Sequence, residues 1–130
     1  MLGGGPAGAT AAALLARAGV DVVLFTRSKR PPIIVGESLV PAIVPFLREL
    51  GIEEEVASYA IWKGGATFVH DKEYTQSFRF HEVRGAKTTY SYNVPRDRFD
   101  ASVLGAARRS GVRVVEHAAR LEREAQSDRV

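Results

Sequence analysis

The chain has 130 residues, 45% hydrophobic and 25% charged, with a formal net charge of +3 and no cysteine. This size allows one domain with an ordinary apolar core, the composition excludes a disordered chain, and the missing thiol excludes disulfides, thiolate nucleophiles and cysteine-ligated zinc. Lys and Arg are spread along the chain rather than interleaved with aromatics on one stripe, so no nucleic-acid partner is expected. No apolar run approaches bilayer length and no leader is visible, so no membrane partner is expected and a cytoplasmic setting is the default.

The chain opens on Gly3-Gly4-Gly5-Pro6-Ala7-Gly8-Ala9-Thr10, in which Gly3, Gly5 and Gly8 form a G-x-G-x-x-G. Gly3 permits a tight turn, Gly5 allows backbone to approach a pyrophosphate, and Gly8 allows helix and sheet to pack closely. A helix is predicted over Pro6 to Ala18, with Pro6 tolerated in its first turn, Leu14 and Leu15 on its apolar face, and Gly19 as its stop. Its free N–H groups and positive dipole end suit a phosphate.

Asp21 to Thr26 follows as a buried parallel strand. In dinucleotide folds an acidic residue at this strand's end binds the ribose hydroxyls. Thr26 stands there instead, with one hydroxyl, followed by Arg27, which is either a 2′-phosphate ligand or a solvated loop arginine.

Ser28 to Val35 reads as an extended loop around Pro31-Pro32. A helix is predicted from Pro41 to Leu50, closed by Gly51, and a second from Ile52 to Ala60. Glu53, Glu54 and Glu55 are read there as a solvated first turn complementing the dipole. From Ile61 the period changes to strands: Ile61 to His70, Gln76 to Glu82 and Thr88 to Val94, with turns at Asp71-Lys72-Glu73 and Arg84 to Lys87. A helix over Pro95 to Ser110, stopped by Gly111, and a strand over Val112 to Glu116 complete the order. Ala119 to Val130 is a polar tail.

The expected class is therefore α/β: a partial Rossmann-like FAD-binding fold of the glutathione-reductase type, interrupted by an antiparallel insertion. A nicotinamide-binding half would instead have continued its β and α alternation. Only Met1 and Leu2 precede the first glycine, so the first strand is expected to be truncated and residues 1–130 to be an incomplete N-terminal part of one FAD-binding domain.

Four stretches, in order, carry a resemblance: Gly3 to Thr10; Gly36-Glu37-Ser38-Leu39-Val40-Pro41; Trp62-Lys63-Gly64-Gly65-Ala66-Thr67-Phe68; and Val94-Pro95-Arg96-Asp97-Arg98-Phe99-Asp100. Together they resemble the N-terminal part of FAD-dependent monooxygenases, and within them the flavin-dependent halogenases. The resemblance implies FAD as cofactor, a separate flavin reductase, a halide and a small aromatic substrate as partners, and halogenation through a flavin hydroperoxide. An aromatic hydroxylase, an isoprenoid (geranylgeranyl-type) reductase and a non-catalytic nucleotide-binding fragment stay open as alternatives.

By the same resemblance Lys63, in a K-x-G-A-x-F pattern, is the catalytic residue. It either donates hydrogen bonds to hypohalous acid or is converted by it, and burial would lower its pKa; the structural alternative is a lysine on an exposed strand face. The implied cofactor-binding residues are Gly3, Gly5, Pro6, Ala7, Gly8, Thr26, Arg27, Glu37, Ser38 and Arg96. Ser38 alternatively caps the helix entered at Pro41, and Arg96 alternatively pairs with Asp100 four residues on. Phe99 and Trp62 are expected to pack. His70, His81 and His117 lack ligand spacing, so no metal is assigned.

Overall fold

A computed structural model describes residues 1–27, 34–69, 74–120 and 122. The predicted turn at residues 71–73, His70 and nearly all of the polar tail lie outside these residues, as do 28–33 of the proline loop.

Helix α1 spans Pro6–Arg17, with Gly5 at its N-cap and proline in its first turn. Strand β1 (Val23–Thr26) follows, then a short 3₁₀ turn over Pro41–Ile43, α2 (Val44–Leu50) and α3 (Glu53–Ala57). Gly51 takes the left-handed conformation at the end of α2, φ 70°, as the predicted stop requires. Strands β2 (Ile61–Lys63), β3 (Gly65–Val69), β4 (Thr75–Arg79) and β5 (Ser91–Asn93) form the insertion, before α4 (Arg96–Arg109) and β6 (Arg113–Glu116) return to the first sheet.

β1 lies in the middle of the parallel layer. On one edge it pairs with β6, Leu24 beside Val114; on the other, Leu2 bridges Phe25 in parallel and the Gly3 N–H donates to the Phe25 carbonyl at 2.9 Å. The βαβ order and the return of β6 to the parallel sheet agree with the α/β, Rossmann-like class.

α1 and α4 pack directly on each other. The buried face of α1 is Ala9, Ala12 and Ala13, against a face of α4 that buries Val103, Ala106 and Ala107. The predicted apolar face was different: Leu15 is 43% exposed. The glycine turn sets which way α1 faces, and a close helix–helix approach demands small residues where they meet. Phe99, 1% exposed, fills the core beside Leu24, Leu47 and Ile52, as expected of it.

Arg17 draws three helix ends together. Its guanidinium donates to Ser110 Oγ at 3.0 Å, to the Leu50 carbonyl at 3.2 Å and to the Glu49 carbonyl, so a cation sits on carbonyls at the negative end of α2.

The insertion departs from the expected run of three strands. The predicted strand Ile61 to His70 breaks at Gly64 into two pieces with different partners: β2 pairs with β5, and β3 with β4, both antiparallel. Trp62 folds over the break, and a Cβ at Gly64 would stand 2.4 Å from its ring. The expectation that Trp62 packs is therefore corrected: the ring covers a glycine backbone and remains 63% exposed. Likewise the third predicted strand shortens from Thr88–Val94 to Ser91–Asn93, and residues 80–82 of the second form a 3₁₀ turn.

Glu53 is also corrected, from a solvated carboxylate to a bonding centre. It accepts from Arg48 Nε at 2.7 Å, from Tyr90 Oη, and from Tyr92 Oη at 3.4 Å, tying α3 to the approach to β5. Among the described residues no helix is long and apolar enough to cross a membrane.

Candidate functional site

The first part of the site is the glycine turn. Gly3 has φ 100°, and a Cβ on Gly8 would lie 2.0 Å from the Gly3 carbonyl oxygen, so both positions require glycine for the first turn of α1 to close on the strand end. Gly4, which the sequence reasoning did not single out, is buried against Thr26, whose Oγ1 would stand 2.5 Å from a Cβ placed there. Adjacent glycines were the available signal. Gly5 differs from these: its φ of −74° is open to any residue, and a Cβ there, unlike one at Gly4 or Gly8, meets nothing within 4 Å. Its open side is the place where a ligand's atoms can come close to backbone.

Beside this turn lies a cavity of about 420 Å³ bounded by Gly3, Gly4, Gly5, Thr26, Arg27, Ile34, Asp100, His117, Ala118 and Ala119. Pro6, Ala7 and Gly8 form the first turn of α1 next to it, and no side chain caps that helix. A positively polarised backbone rim, an open glycine and an exposed arginine fit a diphosphate group. Thr26 and Arg27 line the cavity without an added carboxylate at the strand end. The acid that does line it comes from elsewhere in the chain, Asp100 of α4.

Asp100 is 5% exposed and is neutralised by Arg96, whose Nε donates to Oδ1 at 3.0 Å. The pairing four residues apart is thus present. Arg96 does more than pair, because its Nη1 also donates to the Val35 carbonyl at 2.6 Å. The guanidinium pins the start of a strap, residues 35–39, to the start of α4.

β5 holds the rest of that strap. The Val94 N–H donates to the Glu37 carbonyl and the Leu39 N–H to the Tyr92 carbonyl, both at 2.9 Å, with Ser38 bridging Asn93 between them. Glu37 is exposed on this segment. Ser38 does not cap the following helical turn: Val40 occupies that position, without a side-chain cap bond. The Ser38 hydroxyl instead accepts from Lys63.

Lys63 closes the second part of the site. Its Nζ donates to Ser38 Oγ and to the Leu39 carbonyl, each at 2.7 Å, and lies 5.5 Å from the centre of the Phe80 ring. It is half-buried rather than on an open strand face. Burial pushes its pKa below the usual lysine value, which eases loss of the proton and exposes a nucleophilic amine. Phe80 also lines an apolar groove of about 660 Å³ with Val40, Pro41, Pro45, Phe78 and Val83. The strap therefore runs from Arg96, whose partner Asp100 faces the cavity, to Lys63.

The chain resembles known proteins in both sequence and fold. The profile of the family described as tryptophan halogenase matches residues 1–85. A flavin-dependent halogenase of Armillaria mellea, armH3, is 37% identical over 117 residues, covering 89% of this chain and 23% of its own length. Among solved structures, the myxobacterial chondrochloren halogenase CndH superposes with a TM-score of 0.75 at 34% identity, covering 87% of this chain and 26% of that one. A flavoprotein/dehydrogenase from Cytophaga hutchinsonii superposes with a TM-score of 0.75 at 35% identity, over 87% of this chain and 28% of its own. The chain thus spans about a quarter of the length of the relatives it matches, and corresponds to their N-terminal part. It belongs to the tryptophan halogenase family of flavin-dependent enzymes.

Proposed function

We propose that this chain supplies the flavin-binding turn and the reactive lysine of a halogenase that uses FAD and acts on an electron-rich aromatic compound. The observation that carries this reading is the strap. One five-residue segment is held by Arg96 beside the glycine-turn cavity and contacts Lys63 at its other end.

In this reading the diphosphate of FAD lies against Gly3, Gly5, Pro6, Ala7 and Gly8, with Thr26 and Arg27 toward the adenosine end. Glu37 and Ser38 border the ring end, and Arg96 sets the strap. FAD, reduced by a separate reductase, would when bound supply two electrons that, with two from the halide, reduce dioxygen to hypohalous acid and water. Lys63 then acts as holder: its ammonium donates hydrogen bonds to the hypohalous oxygen, and its lowered pKa also allows a neutral amine to take the halogen, the oxygen–halogen bond breaking and the oxygen leaving as water with a proton from the amine. The lysine's place over Phe80, and the share of Phe80 in the apolar groove, suit delivery to an aromatic ring.

The test is turnover of the full-length protein with FAD, a flavin reductase, chloride or bromide and a panel of indoles, phenols and pyrroles, read by mass spectrometry for the halogen isotope pattern. Halogenated product that disappears in Lys63→Ala carries the reading. Flavin binding with hydroxylated product assigns the protein to the hydroxylase alternative, and flavin binding with reduced product to the reductase alternative. The superposition on a flavoprotein/dehydrogenase keeps those alternatives in the assay.

A further inference from the structure

β5 is the middle row of a small antiparallel ladder. On one side Lys63 stands opposite Ser91 and Ile61 opposite Asn93; on the other Ser38 stands opposite Asn93. Directly opposed residues project to the same face of such a ladder, with Cβ atoms about 4.5–5.5 Å apart. Ser38, Asn93, Ser91 and Lys63 therefore share one face.

That face contains two polar atoms without partners. Ser91 is 0% exposed, and its Oγ has no hydrogen-bond partner among the described residues; the same holds for the buried Asn93 Oδ1. A serine shut away on one strand, with a second unpaired acceptor two residues along and on the same side, is costly to keep unless something uses it. The cation on this face is Lys63. Two of its three ammonium hydrogens go to Ser38 Oγ and the Leu39 carbonyl, and Ser38 itself faces Asn93. Among the described residues no carboxylate pairs with Lys63. Lys63 stands directly opposite Ser91 in the ladder, and its flexible four-carbon stem has several rotatable bonds with which to change partners on that face.

We propose that Lys63 has two hydrogen-bonding stations, the observed one on the strap at Ser38 and Leu39, and a second on β5 formed by Asn93 Oδ1 and Ser91 Oγ. Asn93 and Ser91 are positioning residues for the lysine. Each station pairs a carbonyl-type oxygen, which only accepts, with a serine hydroxyl, which accepts from an ammonium and donates to the lone pair of a neutral amine, so the lysine keeps the same kind of partners at both. Movement to β5 also frees the strap hydroxyl. The use made of this movement in halogen transfer rests on the function proposed above; the two stations themselves rest only on the ladder.

The experiment is an NMR titration of Lys63, followed at its ¹³Cε in the full-length protein, assigned by Lys63→Arg, and run without flavin, halide or aromatic compound. With two stations, Asn93→Leu and Ser91→Ala each move the Lys63 midpoint down, because each removes an acceptor for the ammonium, and Asn93→Asp moves it up. A midpoint unmoved by both Asn93→Leu and Ser91→Ala overturns the proposal, since a lysine held only by the strap does not sense them. Should Asn93→Leu fail to fold, the small Ser91→Ala change decides alone. Because no halogenation is measured, failure of the halogenase reading leaves this result standing, and failure here leaves that reading standing.

Discussion

Lys63 and Ser38 are 25 residues apart in the chain, and their side chains meet at 2.7 Å. The contact joins an antiparallel insertion to the strap that leaves the parallel sheet. It ends a continuous chain of bonds that starts at Asp100 on the cavity wall and runs through Arg96, the Val35 carbonyl and the strap backbone. One set of hydrogen bonds thereby links the cavity wall to Lys63.

Replacing Lys63 tests the reactive end. Lys63→Ala is expected to leave flavin binding intact and to lower stability by no more than about 2 kcal/mol, the scale of two hydrogen bonds from a charged group partly open to solvent. Product halogenation in the full-length protein should fall to background. Flavin absorbance, thermal melting and product mass spectra check the three parts separately.

Two glycine substitutions should behave oppositely. Gly8→Ala drives a methyl onto the Gly3 carbonyl, a backbone atom that cannot swing aside, and is expected to cost about 1–3 kcal/mol or more in melting experiments. Gly5→Ala meets nothing in the protein and should cost under about 1 kcal/mol as a change of N-cap residue. Its effect belongs on the ligand: flavin affinity falls while the fold holds. Equal loss of stability in both variants would remove the case for an open backbone surface at Gly5.

Arg96→Ala should release the strap. It leaves the Asp100 carboxylate, 5% exposed, without the guanidinium that neutralises it, an event on the scale of about 3 kcal/mol. Arg96→Lys keeps the charge but lacks the planar fork that spans Asp100 and the Val35 carbonyl, so it should recover only part of the loss. Hydrogen exchange at the Leu39 amide, bonded to the Tyr92 carbonyl, reports whether the strap has come free.

The Glu53 cluster sets a pH dependence at both ends of the scale. Burial pushes the Glu53 carboxyl up, but hydrogen bonds from Tyr90 and Arg48 outweigh it and hold the group below its ordinary 4.5. Its contribution to stability is therefore full above pH 4.5 and is lost as pH falls through the lower, folded value. Burial first, then the neighbouring Tyr90 and Glu53, push Tyr92 from 10.0 up to about 12. The neutral phenol is favoured in the folded state, so stability is full below pH 10.0 and declines between 10.0 and about 12. Melting temperature against pH should show both declines, with Glu53→Gln flattening the acid one and Tyr92→Phe the alkaline one.

The order of elements was written in local signals: glycines at fixed offsets, Pro6 at a helix start, Gly51 and Gly111 at helix stops, and the β-branched runs of β1 and β6. These are properties of a few consecutive residues, so a linear reading reaches them. Lys63, Ser38 and Arg96 stood out through their surrounding patterns, but nothing local said that the first donates to the second or that the third grips a strap. Those contacts join residues 25 and 61 positions apart, and only chain folding brings them together. Three further results came from the same source. Small residues rather than leucines face α4, because the turn at Gly3 and Gly8 aims α1. The insertion changes partners at Gly64, where Trp62 occupies the space a side chain would need. Glu53 is a bonding centre rather than a solvated charge, because Tyr90 and Tyr92, distant in sequence, donate to it from the β5 region. Propensity and motif settle what each segment becomes; which side chains share a space depends on how the segments pack, and the chemistry of the site belongs to that second level.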